Sequence, residues 1–313
     1  MRSGRLLLRG LAAGLALAAG GCDMVLGIDD LVADRDSDTS STGGDGCSST
    51  CGSPGCGACP ESAGIEVSST NGNYRIDAFE ITNAEYQAWL ELGPTTQGQG
   101  VDCEWNDTYR PGVLSQAAID ASEAMGGLDD NDCIDASWLE KAIESGYQNA
   151  PVTCVDWCDA VAYCRWAGKG LCARIGSGER IEIVDVTDLS GTLYATPDES
   201  AWYHACSAAG TRDFPYGPDY DPAKCNDDEL RARDVGSYQD CVGGLPDLYD
   251  MSGNVAEWED ACTPFDPPVG QNCLVRGGCW YNTLDVDLAC DASRALMRGG
   301  SGTGIGFRCC GSD

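Results

Sequence analysis

The stretch VRGGCWYNTLDVDLAC, residues 275–290, carries two cysteines, Cys279 and Cys290. Two thiolates held together are soft metal ligands and strong nucleophiles. In an exported, cysteine-rich chain the same residues serve as disulfide staples instead. The chain has 20 cysteines in 313 residues, so the choice decides much of its chemistry. Other reactive groups are few. His204 is the only histidine, so a non-heme iron site built on two or more histidines is excluded. It sits in AWYHAC, a helical pattern, where a hydrogen-bonded structural role is expected rather than that of a base in a Ser-His-Asp arrangement. Acids dominate. The formal net charge of -31 repels phosphate backbones and excludes nucleic-acid binding, and divalent cations become the natural small partners.

The elements that must position these residues follow from the pattern along the chain. Residues 1–21 read as a secretory signal: Arg2, Arg5 and Arg9, an apolar run, then Ala19-Gly20-Gly21 before Cys22. The apolar run falls short of the ~20 residues of a spanning helix. Small residues directly before a cysteine resemble a bacterial lipobox, with Ala19 where Leu is usual. That resemblance implies cleavage before Cys22 and a lipid on it, hence a membrane anchor in the cell envelope. Export predicts that the 19 cysteines after Cys22 are mostly in disulfides, and their odd number leaves at least one free, modified or paired between chains.

Residues 22–60 read as a tether rich in Asp, Ser, Gly and Cys. Asp34, Asp36 and Asp38 lack the Gly and Glu that a calcium loop needs and are expected to be solvated linker. Cys47, Cys51, Cys56 and Cys59 are expected to form two local disulfides rather than a zinc site. One domain follows, 61–313. Thr82 with Glu85 forms a capping-box pattern ahead of a helix whose Tyr86, Trp89 and Leu90 share a face. Asp156 caps a second helix, with Trp157, Val161 and Cys164 inward and Gly168 at its end. Residues 181–199 suggest a short hairpin. Residues 91–149 are polar and irregular, a long surface insertion. Local spacing pairs Cys103 with Cys133, Cys225 with Cys241 and Cys262 with Cys273, and leaves the other cysteines of the domain, among them Cys154, Cys158, Cys172, Cys279 and Cys310, unassigned.

Ordered segments now line up. They are FEITNAEY at 79–86, Pro151-Val152 with Val155-Asp156-Trp157, DAVAYC at 159–164, WAGK at 166–169, FPYG at 214–217, LYDMSGNVAEW at 248–258, Arg276-Gly277-Gly278 and GFRC at 306–309. Together they resemble the formylglycine-generating enzyme, or sulfatase-modifying factor, family over about 65–310. The resemblance implies an α+β fold that is irregular, loop-rich and disulfide-stapled, related to C-type lectins. It implies an oxygen-dependent oxidase that converts a sulfatase cysteine to formylglycine through a copper-binding cysteine pair. Those two cysteines should fall four and nine residues after Gly278, where this chain has Asn282 and Asp287. Neither can be a thiolate, and Cys279 stands where the family commonly has Ser. Copper is therefore not expected.

The resemblance further implies disulfides Cys164–Cys309 and Cys206–Cys290, the latter with an offset of about two residues. It implies a calcium site from the Asp250 and Glu257 side chains and the Gly253 and Val255 carbonyls, with a second, shortened one at Cys225-Asn226-Asp227. The expectation is a non-catalytic envelope lipoprotein that binds a protein or glycan, at the insertion or beside Trp280 and Tyr281, or that is purely structural. The alternative is a copper-dependent oxidase using displaced cysteines, for example Cys279 with a partner from another loop.

Overall fold

The structure is a computed structural model, and it describes residues 47, 49–60, 64–124, 133, 135–183, 196–227, 230–264, 270–282 and 284–312. The expected signal segment, Cys22, the Asp34–Asp38 run and all of 184–195 lie outside them. No helix among the described residues is long and apolar enough to cross a membrane.

Two small sheets carry the fold. The first is β1 (Gly64–Val67), β2 (Tyr74–Asp77), β9 (Cys309–Ser312) and β3 (Gly170–Leu171), in the order β1-β2-β9-β3. The second runs β4 (Ile181–Glu182), β5 (Ala256–Cys262), β6 (Asn272–Arg276) and β7 (Ser293–Met297), with β8 (Ile305–Gly306) also paired to β5. Among the described residues the α-helices are α1 (Asn83–Leu90), α2 (Gln116–Ala124), α3 (Trp138–Glu144), α4 (Trp157–Trp166), α5 (Ala201–Cys206) and α6 (Asp285–Leu288). The body of the hairpin expected at 181–199 lies outside the described residues; its first residues, Ile181 and Glu182, pair in parallel with Ala261 and Cys262.

Helix starts follow from side chains that satisfy the free N–H groups of a first turn. Thr82 and Glu85 form the reciprocal box on α1, and Tyr86 and Trp89 are buried below it. Asp156 caps α4, and Asp159 returns the bond to the Asp156 N–H. Val161 is only half-buried, whereas Ala160, Tyr163 and Cys164 face the core. Tyr86, Trp89, Tyr163, Trp166 and Phe307 form one aromatic cluster, with Tyr86 stacked on Tyr163 at 5.6 Å.

The α4 cap is built from two buried acids. Burial pushes Asp156 up to about 7, and burial beside Asp156 holds Asp159 well above the usual carboxylate range, while Asn106 donates to Asp159 at 2.9 Å. A carboxyl with a raised native pKa binds its proton more tightly folded than unfolded. Its stabilisation is therefore present below the unfolded value, near 4, and is lost as pH climbs through the native one. The melting temperature is expected to fall from pH 5 to pH 8, and Asp159→Asn is expected to flatten that slope. A slope unchanged in the variant would show that these acids do not set it.

Disulfides decide where the irregular segments go. Cys47–Cys56 and Cys51–Cys59 close a small cap. It is docked on α4, with the Cys51 N–H donating to the Trp166 carbonyl at 2.7 Å and the Trp166 indole to the Cys56 carbonyl at 3.0 Å. The stretch read as tether thus ends packed into the domain core. The insertion is stapled to the core as well. Cys103 joins Cys158 and Cys133 joins Cys154, not each other. Residues that spacing left unassigned therefore hold the insertion, and Cys172 joins Cys310. Cys164–Cys309, Cys206–Cys290, Cys225–Cys241 and Cys262–Cys273 are all formed.

Candidate functional site

The loop after β6 holds the positions expected to be reactive. Gly278 has φ +67, and a Cβ there would lie 2.7 Å from the Asp287 carbonyl oxygen. Only glycine lets the chain double back this closely. The turn brings Asn282 to Asp287, with the amide Nδ2 donating to the carboxylate Oδ2 at 3.2 Å. Asn282 Oδ1 in turn accepts from the Cys279 N–H at 2.7 Å. Burial raises the Asp287 carboxyl, Asn282 opposes that rise and Asp285 adds to it. The two positions thus face each other, as a pair of metal-binding thiolates must. They are filled by an amide and a carboxyl, hard groups with little affinity for Cu(I).

The neighbouring cysteines supply no thiol. Cys290 is bonded to Cys206 on α5. Cys279 is fully buried and is not a titrating thiol, and no free cysteine occurs among the described residues. Trp280 and Tyr281 are half-buried, in edge-to-face contact at 4.5 Å, and packed against the main core cluster. His204 is structural. Tyr74 Oη lies 2.9 Å from its Nδ1 and donates to the Ala201 carbonyl, so the imidazole serves as the donor to tyrosine. Burial lowers its pKa.

The second candidate site runs from Asp250 into β5. Asp250 adopts φ +56 and its Oδ2 accepts from the Gly236 N–H at 2.6 Å. Burial pushes its carboxyl up to about 6, against the lowering effect of the Gly236 bond and Arg308. Gly253, at φ +74, packs its bare Cα against the Asn226 carbonyl, so the Cys225-Asn226-Asp227 segment braces this turn. Asn226 donates to Asn254, and Tyr220 donates to Asp227 at 2.7 Å.

Glu257 is held quite differently from a calcium ligand. Arg308 donates to both its oxygens, at 2.6 and 2.7 Å, and the Trp202 indole adds a third bond at 2.9 Å. Both lone-pair faces are committed to a fixed cation. Asp250, Gly253, Val255 and Glu257 therefore do not fit a calcium ion as one set, because the strongest expected ligand is turned to Arg308. A calcium titration of chelator-treated protein is expected to leave the melting temperature unchanged. A concentration-dependent rise would mean that the ion binds the native state and draws Glu257 from Arg308.

Residues that the sequence reading did not single out complete this cluster. Glu80 is fully buried, accepts from Asn254 at 3.0 Å, and is held well above the usual carboxylate range by burial and by Asp250. Glu259, two residues beyond Glu257 on β5, is paired with Arg276 and bonded by Ser200. The only sequence signal for Glu80 and Arg308 was their place in FEITN and GFRC.

Small twisted sheets, a capped helix pair, disulfide-held loops and buried carboxylate–arginine pairs on β5 define an irregular α+β domain. Residues 61–312 match the family model described as sulfatase-modifying factor enzyme 1-like domain. The chain belongs to that family. It is 32% identical over 250 residues to the serine/threonine-protein kinase Pkn1 of Chlamydia trachomatis serovar L2, covering 75% of this chain and 32% of the relative. The chain thus spans about a third of the length of that relative. It is 28% identical over 264 residues to the formylglycine-generating enzyme of Streptomyces coelicolor, covering 75% and 77%. It is 31% identical over 168 residues to the inactive C-alpha-formylglycine-generating enzyme 2 of Mus musculus, covering 52% and 49%.

Proposed function

We propose that this chain is a non-catalytic member of the family, a disulfide-stapled binding or structural domain of the bacterial envelope held to a membrane by a lipid on Cys22. The observation that carries the proposal is the Asn282–Asp287 hydrogen bond at the two positions where the oxidase requires thiolates. An oxidase that transfers electrons from a substrate thiol to oxygen through copper needs two soft ligands in one place. Here one position is an amide, one is a carboxyl, and the adjacent Cys290 is consumed by Cys206. The mouse relative named as inactive is consistent with loss of that chemistry on this fold. No kinase activity is proposed, since only a third of the kinase-named relative is spanned.

The test uses the secreted protein with Cys22 replaced by Ser, so that no lipid is added. It is expected to show no stoichiometric Cu(I) binding and no conversion of a cysteine-containing sulfatase peptide to its formylglycine form under air. Turnover of that peptide would sink the proposal and restore the oxidase. Detergent-phase partitioning of the unmodified chain, lost in Cys22→Ser, checks the anchor.

A further inference from the structure

A concave site lies between the cap, the 94–103 part of the insertion and α4, and shares no lining residue with the 277–290 loop. Its volume of about 330 Å³ is at the lower end for small-ligand sites. The tryptophans and Tyr109 around it are buried in the core cluster, so they close its floor and offer no face. What reaches solvent is polar. Arg165, Thr50 and Gln97 are exposed at the rim, and Asp102 and Arg180 are half-buried in the wall.

The charges there run against the charge of the chain. Among the described residues Asp102 is the one acid that lines the cleft. Arg180 donates to Asp102 and to Asp260, both at 2.6 Å, and Arg298 reaches Asp102 at 3.4 Å. Against the effect of its own burial, these two guanidiniums hold the Asp102 carboxyl below the usual carboxylate range. Arg165, in the last turn of α4, forms no ion pair and no side-chain hydrogen bond among the described residues. Three guanidiniums thus meet two carboxylates, and the unmatched one is exposed. Asp156 and Asp159, whose charges also act on Tyr109, are buried with raised carboxyls and add less negative charge below neutral pH. Acids further off are screened over roughly 8 Å at physiological ionic strength, so the local surplus decides what the cleft attracts.

Chemistry narrows the class of ligand. An unpaired guanidinium matches a carboxylate in a planar, bidentate fashion. The Thr50 hydroxyl and the Gln97 amide, on the same rim, are further donors. One surplus cation suits a monoanion, whereas a phosphate dianion would leave a charge unmatched beside a chain of net charge -31. The two cap disulfides and Cys103–Cys158 fix the walls, so a ligand that enters orders little.

We propose that this cleft binds the carboxylate of a small ligand through Arg165. The inference goes beyond the non-catalytic reading and does not depend on it. The test is saturation-transfer NMR on the secreted Cys22→Ser protein with lactate, benzoate and N-acetylglycine at millimolar concentration, each beside its neutral amide. At least one acid is expected to bind, with its amide weaker by about tenfold or more. Arg165→Gln is expected to weaken the same acid about tenfold, with an unchanged melting temperature because the side chain is exposed and unpaired. Arg75→Gln removes the same charge on β2 and is expected to leave the affinity unchanged. Binding by none of the three acids, equal binding of acid and amide, unchanged affinity in Arg165→Gln or an equal loss in Arg75→Gln overturns the site. Each of these results leaves the non-catalytic reading standing, because that reading fails separately, on turnover of the sulfatase peptide.

Discussion

Arg308→Met is expected to destabilise the domain by roughly 3–5 kcal/mol, a large share of the total stability of a folded domain. Arg308 is fully buried between β8 and β9 and makes four hydrogen bonds of note. Two go to the Glu257 carboxylate, one to the Asp77 carbonyl at 3.0 Å and one to the Tyr249 carbonyl at 2.9 Å. Glu80 and Asp250 add two further buried carboxyls whose charges interact with the same guanidinium. Removing the cation leaves the Glu257 carboxylate without a counter-charge in a dry interior, with only the Trp202 indole still bonded to it. The two peptide carbonyls lose their donors as well. The pair need not make the fold more stable than an apolar core would. What is costly is removing one half of it. Urea denaturation of the oxidised protein measures the effect. Arg75→Met, which breaks the solvent-exposed pair with Glu66, is the control and should cost under about 1 kcal/mol. Adding Glu257→Met to Arg308→Met should recover part of the loss. A single Arg308→Met variant within about 1 kcal/mol of wild type would show that the cluster is solvated.

Asn282→Cys combined with Asp287→Cys is expected to create a Cu(I) site in the loop after β6. The turn at Gly278 already holds the two side chains in contact, so the new sulfurs need no new backbone path. Competition titration against a Cu(I) chelator should give one tightly held ion per chain, with affinity at least about a hundredfold above wild type, since thiolates select Cu(I) over amide and carboxyl groups. Each single variant should gain much less. Peptide mapping after mild oxidation should find the two new cysteines joined, with Cys206–Cys290 intact. Equal copper affinity in wild type and double variant would mean that the positions do not face each other.

Local physics was legible before any fold was known. The Thr82–Glu85 box and the Asp156 cap are short-range hydrogen bonds, readable from four consecutive residues. Cys225–Cys241 and Cys262–Cys273 close loops of 16 and 11 residues, so spacing alone brought them together. Spacing misled at Cys103, whose partner Cys158 lies 55 residues on, past both Cys133 and Cys154, while Cys133 joins Cys154 at a separation of 21. An irregular insertion has no periodicity to say which way it folds back.

The sequence by itself determined the family, the absence of thiols at 282 and 287, and the abundance of cysteine that makes disulfides the main loop restraint. These are statements about residue identity, and no geometry can alter them. Tertiary structure alone decided how the acids are used. Asp250 and Glu257 are near in sequence, yet Arg308, 51 residues beyond Glu257, is brought in beside β5 and takes Glu257 for itself. It also decided that Cys103 and Cys133 grip α4 and its approach rather than one another, and that the cap docks on α4. Charge pairing and disulfide choice depend on which side chains share a few ångströms of low-dielectric interior. That is set only when distant strands are packed together.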